Sequence, residues 1–366
     1  MAKGGGVQEY VRALRKSLAE RGHDARIITP RPRGEFDEEQ YVSYLGAGAD
    51  LKTPLGTTAQ LSIQAKETDI DALLEEEQFD VLHFHEPWVP MLGRQLAAKS
   101  QALGVVNIAT FHAKLPDTMM AQTLSKVVSP YTKSIIKYFT ALTAVSSAAA
   151  EYITALTDRE ITIIPNGVDL TAYKSPKKRP TNKLKTVLYI GRLEPRKGAK
   201  HLLRAFALLQ AKQPDTQLLI AGNGEMREEL ELLAAKLSLQ HVTFLGFISD
   251  EQKHELLESA DVFCSPALYG ESFGIVLIEA MASGAPTVAG DNPGYKTVLT
   301  GTGALGLVDP KDHAAFAERL EQFLYNEDIR SIWQKWAKDE IGQYDYPVIT
   351  KKFEVLYKTV CEHHDD

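Results

Sequence analysis

Tyr269-Gly270-Glu271-Ser272-Phe273-Gly274-Ile275-Val276-Leu277-Ile278-Glu279-Ala280 sets two carboxylates beside a glycine-bearing loop that is predicted to open a helix. With a helix beginning near Ser272 or Phe273, Glu271 stands in the loop, and Glu279 lies about two turns further in, on a different part of the surface. The first turn of a helix leaves backbone N–H groups free and carries positive partial charge, so a diphosphate fits there while each acid meets a different part of one ligand. An amphipathic helix capped by Ser272, with Glu279 merely solvated, accounts for the two glutamates alone equally well. Neighbouring segments have to decide.

Working outward, Thr186-Val187-Leu188-Tyr189-Ile190-Gly191-Arg192-Leu193-Glu194-Pro195-Arg196-Lys197-Gly198 reads as a buried strand ending in a glycine turn with three cations close behind, followed by an apolar helix from His201 to Leu209. Cations at the carboxyl end of a parallel strand stand where α/β sheets bind ligands. Arg192 suits bidentate contact with phosphate oxygens, and Lys197 adds a point charge. A basic surface turn explains any one of these residues but explains three together less well. Leu218 to Gly224 is another strand running into a glycine turn.

The same alternation runs through the chain. Strands are predicted near Ala25 to Thr29, Val81 to His85, Val105 to Phe111, Leu142 to Val145 and Ile161 to Ile164. A second set follows near Thr186 to Ile190, Gln217 to Ala221, Val242 to Leu245, Val262 to Ser265 and Thr287 to Ala289, with helices between. Between the sets, Thr171 to Lys185 holds Pro176, Pro180 and the cations Lys174, Lys177, Lys178 and Arg179, and reads as a linker. The expected class is α/β, with two Rossmann-like, doubly wound domains. A length of 366 residues suits two domains, with 44% hydrophobic residues for two cores and 24% charged residues arguing against bulk disorder. A net charge of −7 disfavours a nucleic-acid binder, and two cysteines, Cys264 and Cys361, offer no disulfide framework, which points to a reducing cytoplasm.

The ordered motifs resemble one family. Gly-Gly-Val-Gln (Gly5 to Gln8), Phe-Asp-Val-Leu-His-Phe-His-Glu-Pro (Phe79 to Pro87), Ala-Thr-Phe-His (Ala109 to His112), Ile-Pro-Asn-Gly-Val-Asp (Ile164 to Asp169), Gly-Arg-Leu-Glu-Pro-Arg-Lys-Gly (Gly191 to Gly198) and the opening segment follow each other as in retaining family 4 glycosyltransferases of the GT-B fold. That resemblance implies two facing domains with a cleft between them: an acceptor domain over 1–170 with a C-terminal helix 346–366 packing back on it, a linker 171–185, and a donor domain over 186–345. It implies that Arg192 and Lys197 bind the donor diphosphate, that Glu279 holds the ribose and that Glu271 holds hydroxyls of the transferred sugar. Gly6, with Gly5, would let the backbone approach the phosphate. Ser272, Phe273 and Gly274 form the anion-binding helix start. His112 would face the sugar from the opposite domain, although an isolated histidine at a strand end is more often a hydrogen-bonded structural residue. The catalytic pair is thus expected to be His112 and Glu271.

The local sequence is most similar to the phosphatidylinositol mannosyltransferase-like members, through His85-Glu86-Pro87 and Ala-Thr-Phe-His. The implied reaction moves a hexose, mannose by this likeness, from a GDP-sugar or UDP-sugar to a hydroxyl of a lipid or glycan. The base would be held near Gly246 to Ser249. A catalytically silent nucleotide-sugar binder or a truncated, non-functional form is the alternative, and turnover separates them. Positive groups around the leaving diphosphate would replace a metal. Glu271 as a covalent nucleophile and front-face transfer assisted by the leaving phosphate both remain open, the second being favoured because no second acid is evident on the other face.

Asp69-Ile70-Asp71 imitates a metal-binding pattern, but the run Glu67 to Glu77 reads as a solvated acidic helix. His83 and His85 alternate onto one strand face with a spacing that suits zinc, without an obvious further ligand. His363 and His364 belong to a polar tail. No apolar run spans a bilayer, so the expectation is a cytoplasmic protein with weak peripheral association at the inner face of the cell membrane. Lys126, Lys133 and Lys137 lie in a helical stretch read as domain packing with solvated lysines, and the acidity of Glu67 to Glu77 argues against docking on anionic lipid there. Family members normally begin with a buried strand before Gly-Gly-Val-Gln. Here only Met1 to Gly4 precede it, so a first sheet lacking a central strand, a less stable first domain and an impaired acceptor side are expected.

Overall fold

The computed structural model describes residues 6–32, 37–52, 58–62, 65–87, 92–114, 119–173 and 184–363. The expected absence of a first strand, Gly5, Pro176, Pro180 and His364 lie outside these residues. The chain divides into two compact units, Met1–Asn166 with Tyr346–Asp366, and Gly167–Asp345.

Among the described residues, the first unit opens with helix α1 (Gly6–Glu20) and holds two sheets. One is a four-stranded parallel sheet of β4 (Val81–His85), β5 (Val106–Phe111), β6 (Ala141–Ala144) and β7 (Ile161–Ile163), in that order. Of the other, only the first strand was anticipated from the sequence, near Ala25 to Thr29. Its strands β1 (Ile27–Arg31) and β2 (Val42–Lys52) run parallel, and β3 (Thr58–Ser62) runs antiparallel to β2. Helices α2 (Glu67–Glu77) and α3 (Leu92–Ala102) cover one face of the parallel sheet, where Ile70, Leu74, Leu82, Leu92 and Leu96 form a core. Helices α4 (Met119–Ile136) and α5 (Ser147–Thr154) complete the alternation.

In the second unit β8 (Lys185–Ile190), β9 (Thr216–Ala221), β10 (Val242–Gly246), β11 (Val262–Ser265), β12 (Thr287–Gly290) and β13 (Leu307–Val308) form one parallel sheet in the order β10-β9-β8-β11-β12-β13. Strands covered on both faces read as continuous apolar runs, and Val187, Leu188, Tyr189, Val262, Phe263 and Cys264 are all buried. The strand order reverses between β8 and β11, and open α/β sheets bind ligands at the carboxyl ends of such a pair. The intervening helices are α6 (Ala199–Lys212), α7 (Arg227–Lys236), α8 (Asp250–Ser259), α9 (Ile275–Ala282), α10 (Pro293–Lys296), α11 (His313–Tyr325) and α12 (Glu327–Glu340). The last helix, α13 (Tyr346–Glu362), belongs to the first unit. Its Ile349 and Phe353 join Tyr10 and Leu14 of α1 and Ile164 in a buried cluster. Arg21, just past the end of α1, and Glu354 of α13 close the contact with a charge pair at 2.6 Å.

Candidate active site

The loops after β8 and β11 meet. Gly198 ends a 3-10 turn over Pro195–Lys197 at φ +74°, and a Cβ there would lie 1.9 Å from the carbonyl oxygen of Pro266, so only glycine lets this turn close on the loop that follows β11. The Leu268 amide donates to the Arg196 carbonyl at 2.8 Å and locks the two loops together. Arg196 Nη1 and Lys197 Nζ both then reach Glu271 Oε1, each at 2.8 Å, and Glu271 is largely enclosed. Glu194 bridges Arg196, at 3.1 Å, to Arg192, at 2.7 Å. Three cations face two carboxylates, leaving one positive charge uncompensated. The Arg192 side chain is 54% exposed, so its guanidinium can reach a soluble anion.

Helix α9 starts two to three residues later than the sequence suggested. Its first residue is Ile275 and its N-cap is Gly274 at φ +105°, where a Cβ would meet the Tyr295 ring at 2.8 Å. Ser272 is therefore not the cap: the backbone needs a left-handed residue one step before the helix, and serine's side-chain cap is not used. Phe273 is buried and packs edge-on against Tyr344 with ring centroids 5.8 Å apart, so only its backbone is free to serve a ligand. Glu279, in the second turn of α9, pairs with Lys253 of α8 at 2.7 Å. Burial pulls the Lys253 pKa down, but the carboxylates of Glu279 and Asp250 outweigh it and hold the ammonium above its usual range. Lys253 and Arg196 were not singled out from the sequence. Which of several cations reaches a given carboxylate depends on how the 3-10 turn and α8 fold, which residue spacing does not carry.

In the first unit His112 lies one residue past β5, buried, with Gly6 at the first position of α1. The side chains of His83 and His85 share a face of β4, beside Thr110 of β5. His85 Nδ1 is 2.9 Å from His112 Nε2. The backbone N–H groups of His112 and Ala113 donate to Glu86 Oε1, the second at 2.5 Å. Glu86 itself adopts φ +53°, a conformation that a non-glycine residue keeps only where its surroundings hold it. Burial lowers the pKa of all three histidines, that of His85 to about 3, so each is held neutral. The pairing of His83 and His85 with a metal is not supported, since His83 spends both ring nitrogens on Tyr357 (2.8 Å) and Thr110 (2.6 Å), and among the described residues no group of three or more metal-ligating side chains gathers. Asp71, from the Asp-x-Asp pattern, lies on α2 and pairs with Lys99 at 2.6 Å.

A family model for glycosyl transferases group 1 matches residues 173–340, and one for glycosyltransferase family 4 matches residues 4–172. The chain is 35% identical to a phosphatidyl-myo-inositol mannosyltransferase of Mycobacterium leprae over 98% of its own length and 94% of the relative's. It is 34% identical to the protein of that name in Mycolicibacterium smegmatis, over 97% and 90%. Among solved structures, sucrose-phosphate synthase from Thermosynechococcus elongatus matches with a TM-score of 0.76 at 20% identity, covering 98% of this chain and 94% of that one. Anabaena HepE in complex with UDP and glucose matches with 0.73 at 19%, covering 98% and 97%. These structural likenesses speak for the fold, and the sequence relatives for the family. The chain belongs to the family 4 glycosyltransferases of GT-B fold, enzymes that transfer a sugar from a nucleotide donor.

Proposed function

We propose that the chain moves mannose, with retention, from a guanine nucleotide to a hydroxyl of a phosphatidylinositol-type lipid. The observation that carries this is the cluster of Arg192, Arg196, Lys197, Glu194 and Glu271 at the carboxyl ends of β8 and β11, with its one unbalanced positive charge. The choice of sugar and lipid rests on the relatives that match nearly the whole chain.

Breaking the bond from the anomeric carbon puts negative charge on the departing diphosphate and positive charge on the sugar. Arg192 and Lys197, with the N–H groups at Ser272, Phe273 and Gly274 ahead of α9, receive the first, and this takes the part of a divalent ion. Glu271, fixed by two cations, holds sugar hydroxyls and faces the second. Glu279 accepts from the ribose. In the first unit Gly6 and His112 serve the phosphate and sugar side. The leaving phosphate, rather than a second carboxylate, takes the acceptor proton in a front-face step. Domain roles follow: acceptor side in the first unit, donor side in the second, joined through residues 171–185, of which 174–183 lie outside the described residues.

Among the described residues no helix is long and apolar enough to cross a membrane. The lipid is therefore met at a surface, and the exposed acids of α2 keep that element away from anionic headgroups. Calorimetry with GDP, UDP and ADP and their sugar conjugates, followed by transfer to phosphatidylinositol in mixed micelles, tests the reading. Selective GDP binding lost in Arg192→Ala and Glu279→Ala, an α-linked product and activity that survives EDTA are expected. Binding without turnover on any acceptor would leave a silent binder instead, and a preference for UDP would remove the guanine assignment.

A further inference from the structure

We propose that His85 is a positioning residue: its hydrogen bond to His112 holds that imidazole in one orientation and one neutral tautomer at the carboxyl end of β5. This deepens, and rests on, the role given to His112 above. A histidine ring past the end of a strand can flip and can exchange the proton between its nitrogens, so whatever it presents to a ligand is undefined unless a partner fixes it.

The parallel register sets His85 opposite Thr110, which brings its ring to the ring of His112, two residues further along the same face. The Nδ1 to Nε2 separation is 2.9 Å and the ring centroids are 5.2 Å apart. His85 is itself held from behind, because His83 lies with its ring centroid 4.2 Å away. With the Thr143 hydroxyl donating to the Ala109 carbonyl at 3.3 Å, a chain in which Thr110 donates to Thr143, His83 Nε2–H to Thr110 and the Tyr357 hydroxyl to His83 Nδ1 satisfies all of these contacts. Both ring nitrogens of His83 are used in it. From α1, the Tyr10 ring packs edge-on against both His85 (5.7 Å) and His112 (4.9 Å). Glu86 ties down the backbone of His112 from the remaining side. With backbone, walls and backing all supplied, the hydrogen bond between His85 Nδ1 and His112 Nε2 couples the two rings: whichever nitrogen donates keeps its proton and the other is bare, so the tautomer of His112 follows that of His85.

The test compares His85→Phe, which keeps the packing and removes the bond, with His85→Asn, whose amide stands where Nδ1 stood. His85→Phe is expected to lower kcat for mannose transfer from GDP-mannose to phosphatidylinositol by roughly 10- to 100-fold, the range for losing a partner that orients a contacting residue. GDP affinity, carried mainly by Arg192, Lys197 and Glu279 of the second unit, should fall far less than kcat. His85→Asn should recover most of the rate. Nitrogen-15 spectra of the histidines should show one protonated and one bare nitrogen for His112 in the wild type and in His85→Asn, and averaged signals in His85→Phe. Unchanged His112 nitrogen signals in His85→Phe, or equal impairment of the two variants, would overturn the proposal. Full activity in His112→Ala would instead remove the functional role of His112, and the nitrogen spectra would still decide whether His85 sets its tautomer.

Discussion

The two units put opposite chemistry at the ends of their strands. In the first, the side chains at the ends of β4 and β5 include three imidazoles, His112 buried and His83 and His85 half-buried, all held neutral by their surroundings. In the second, the turns after β8 and β11 carry three cations and two carboxylates in mutual contact. Both lie at the carboxyl ends of parallel strands, so topology chose the place and residue type chose the chemistry. A dry, neutral site suits a group that must keep its hydrogen-bonding pattern as a hydroxyl approaches. A site of paired ions with one charge to spare suits a diphosphate, because the partners already ordered by each other need little rearrangement to receive it.

The difference should be visible first in stability. Phe353 of α13 is fully buried against α1 beside His83, and Phe353→Ala is expected to destabilise the first unit by about 3 to 5 kcal/mol while leaving the second unit's unfolding where it was. Denaturation followed separately by a probe in each unit checks this. One common shift in both transitions would show that the units do not unfold separately.

Acid should separate them next. His83, His85 and His112 have depressed folded-state pKa values, His85 down to about 3, while an unfolded histidine takes its proton near pH 6.5. Below about pH 6.5 the unfolded chain therefore binds more protons than the folded one, so the first unit is at full stability above that pH and loses it as pH falls toward 3. Glu86, Tyr10 and Tyr357 face the cluster, and burial raises the two tyrosines still further above this window. His201 and His313 in the second unit are also depressed, but they stand nearer the surface, and a smaller loss is expected there. Melting temperatures between pH 7.5 and 4.5 that fall equally for both units would break the contrast.

Salt and nucleotide probe the other side. Lys197→Ala removes one cation from Glu271 and from the incoming diphosphate, and is expected to weaken GDP binding by roughly 10- to 100-fold, equivalent to about 1.5 to 3 kcal/mol for a charged hydrogen bond. Calorimetry at two salt concentrations should show wild-type affinity falling with salt more steeply than the variant's. Equal slopes would mean that Lys197 serves Glu271 alone.

Much of this was legible before any coordinates. Apolar runs marked β8, β9, β10, β11 and β12 of the second sheet, though not the two-residue β13; the acidic helix Glu67–Glu77 has the bounds its residue pattern outlined, and the final helix Tyr346–Glu362 falls within the 346–366 that the resemblance implied. In the smaller sheet β1 was marked near Ala25 to Thr29 but β2 and β3 were not, since Val42–Lys52 is broken by Gly46 and Gly48 and lacks the alternation that announces a strand. The start of α9 was misplaced because Ser272 has the better capping side chain, whereas the tertiary structure demands a residue at φ +105° and takes Gly274. The meeting of His85 with His112, and of Arg196 with Glu271, depends on strand register and on a turn's closure against Pro266, neither of which spacing along the chain encodes.

The smallest effect expected is also the most local. Ser249 and Gln252 form a reciprocal capping box at the start of α8, and Ser249→Ala should cost the second unit about 1 kcal/mol in denaturant unfolding. Lys253 stands directly after Gln252 and reaches across to Glu279, so the cap also sets the frame from which that ion pair is made. If the pair is held by α8 as a rigid frame, Ser249→Ala weakens GDP binding measurably beyond its stability cost. If Lys253 reaches Glu279 through its own flexible stem, affinity stays as in wild type while stability alone falls. The first outcome would make the charged site depend on helix geometry as strictly as the neutral site depends on strand register. The second would locate the contrast between the units in how rigidly each holds its chemistry.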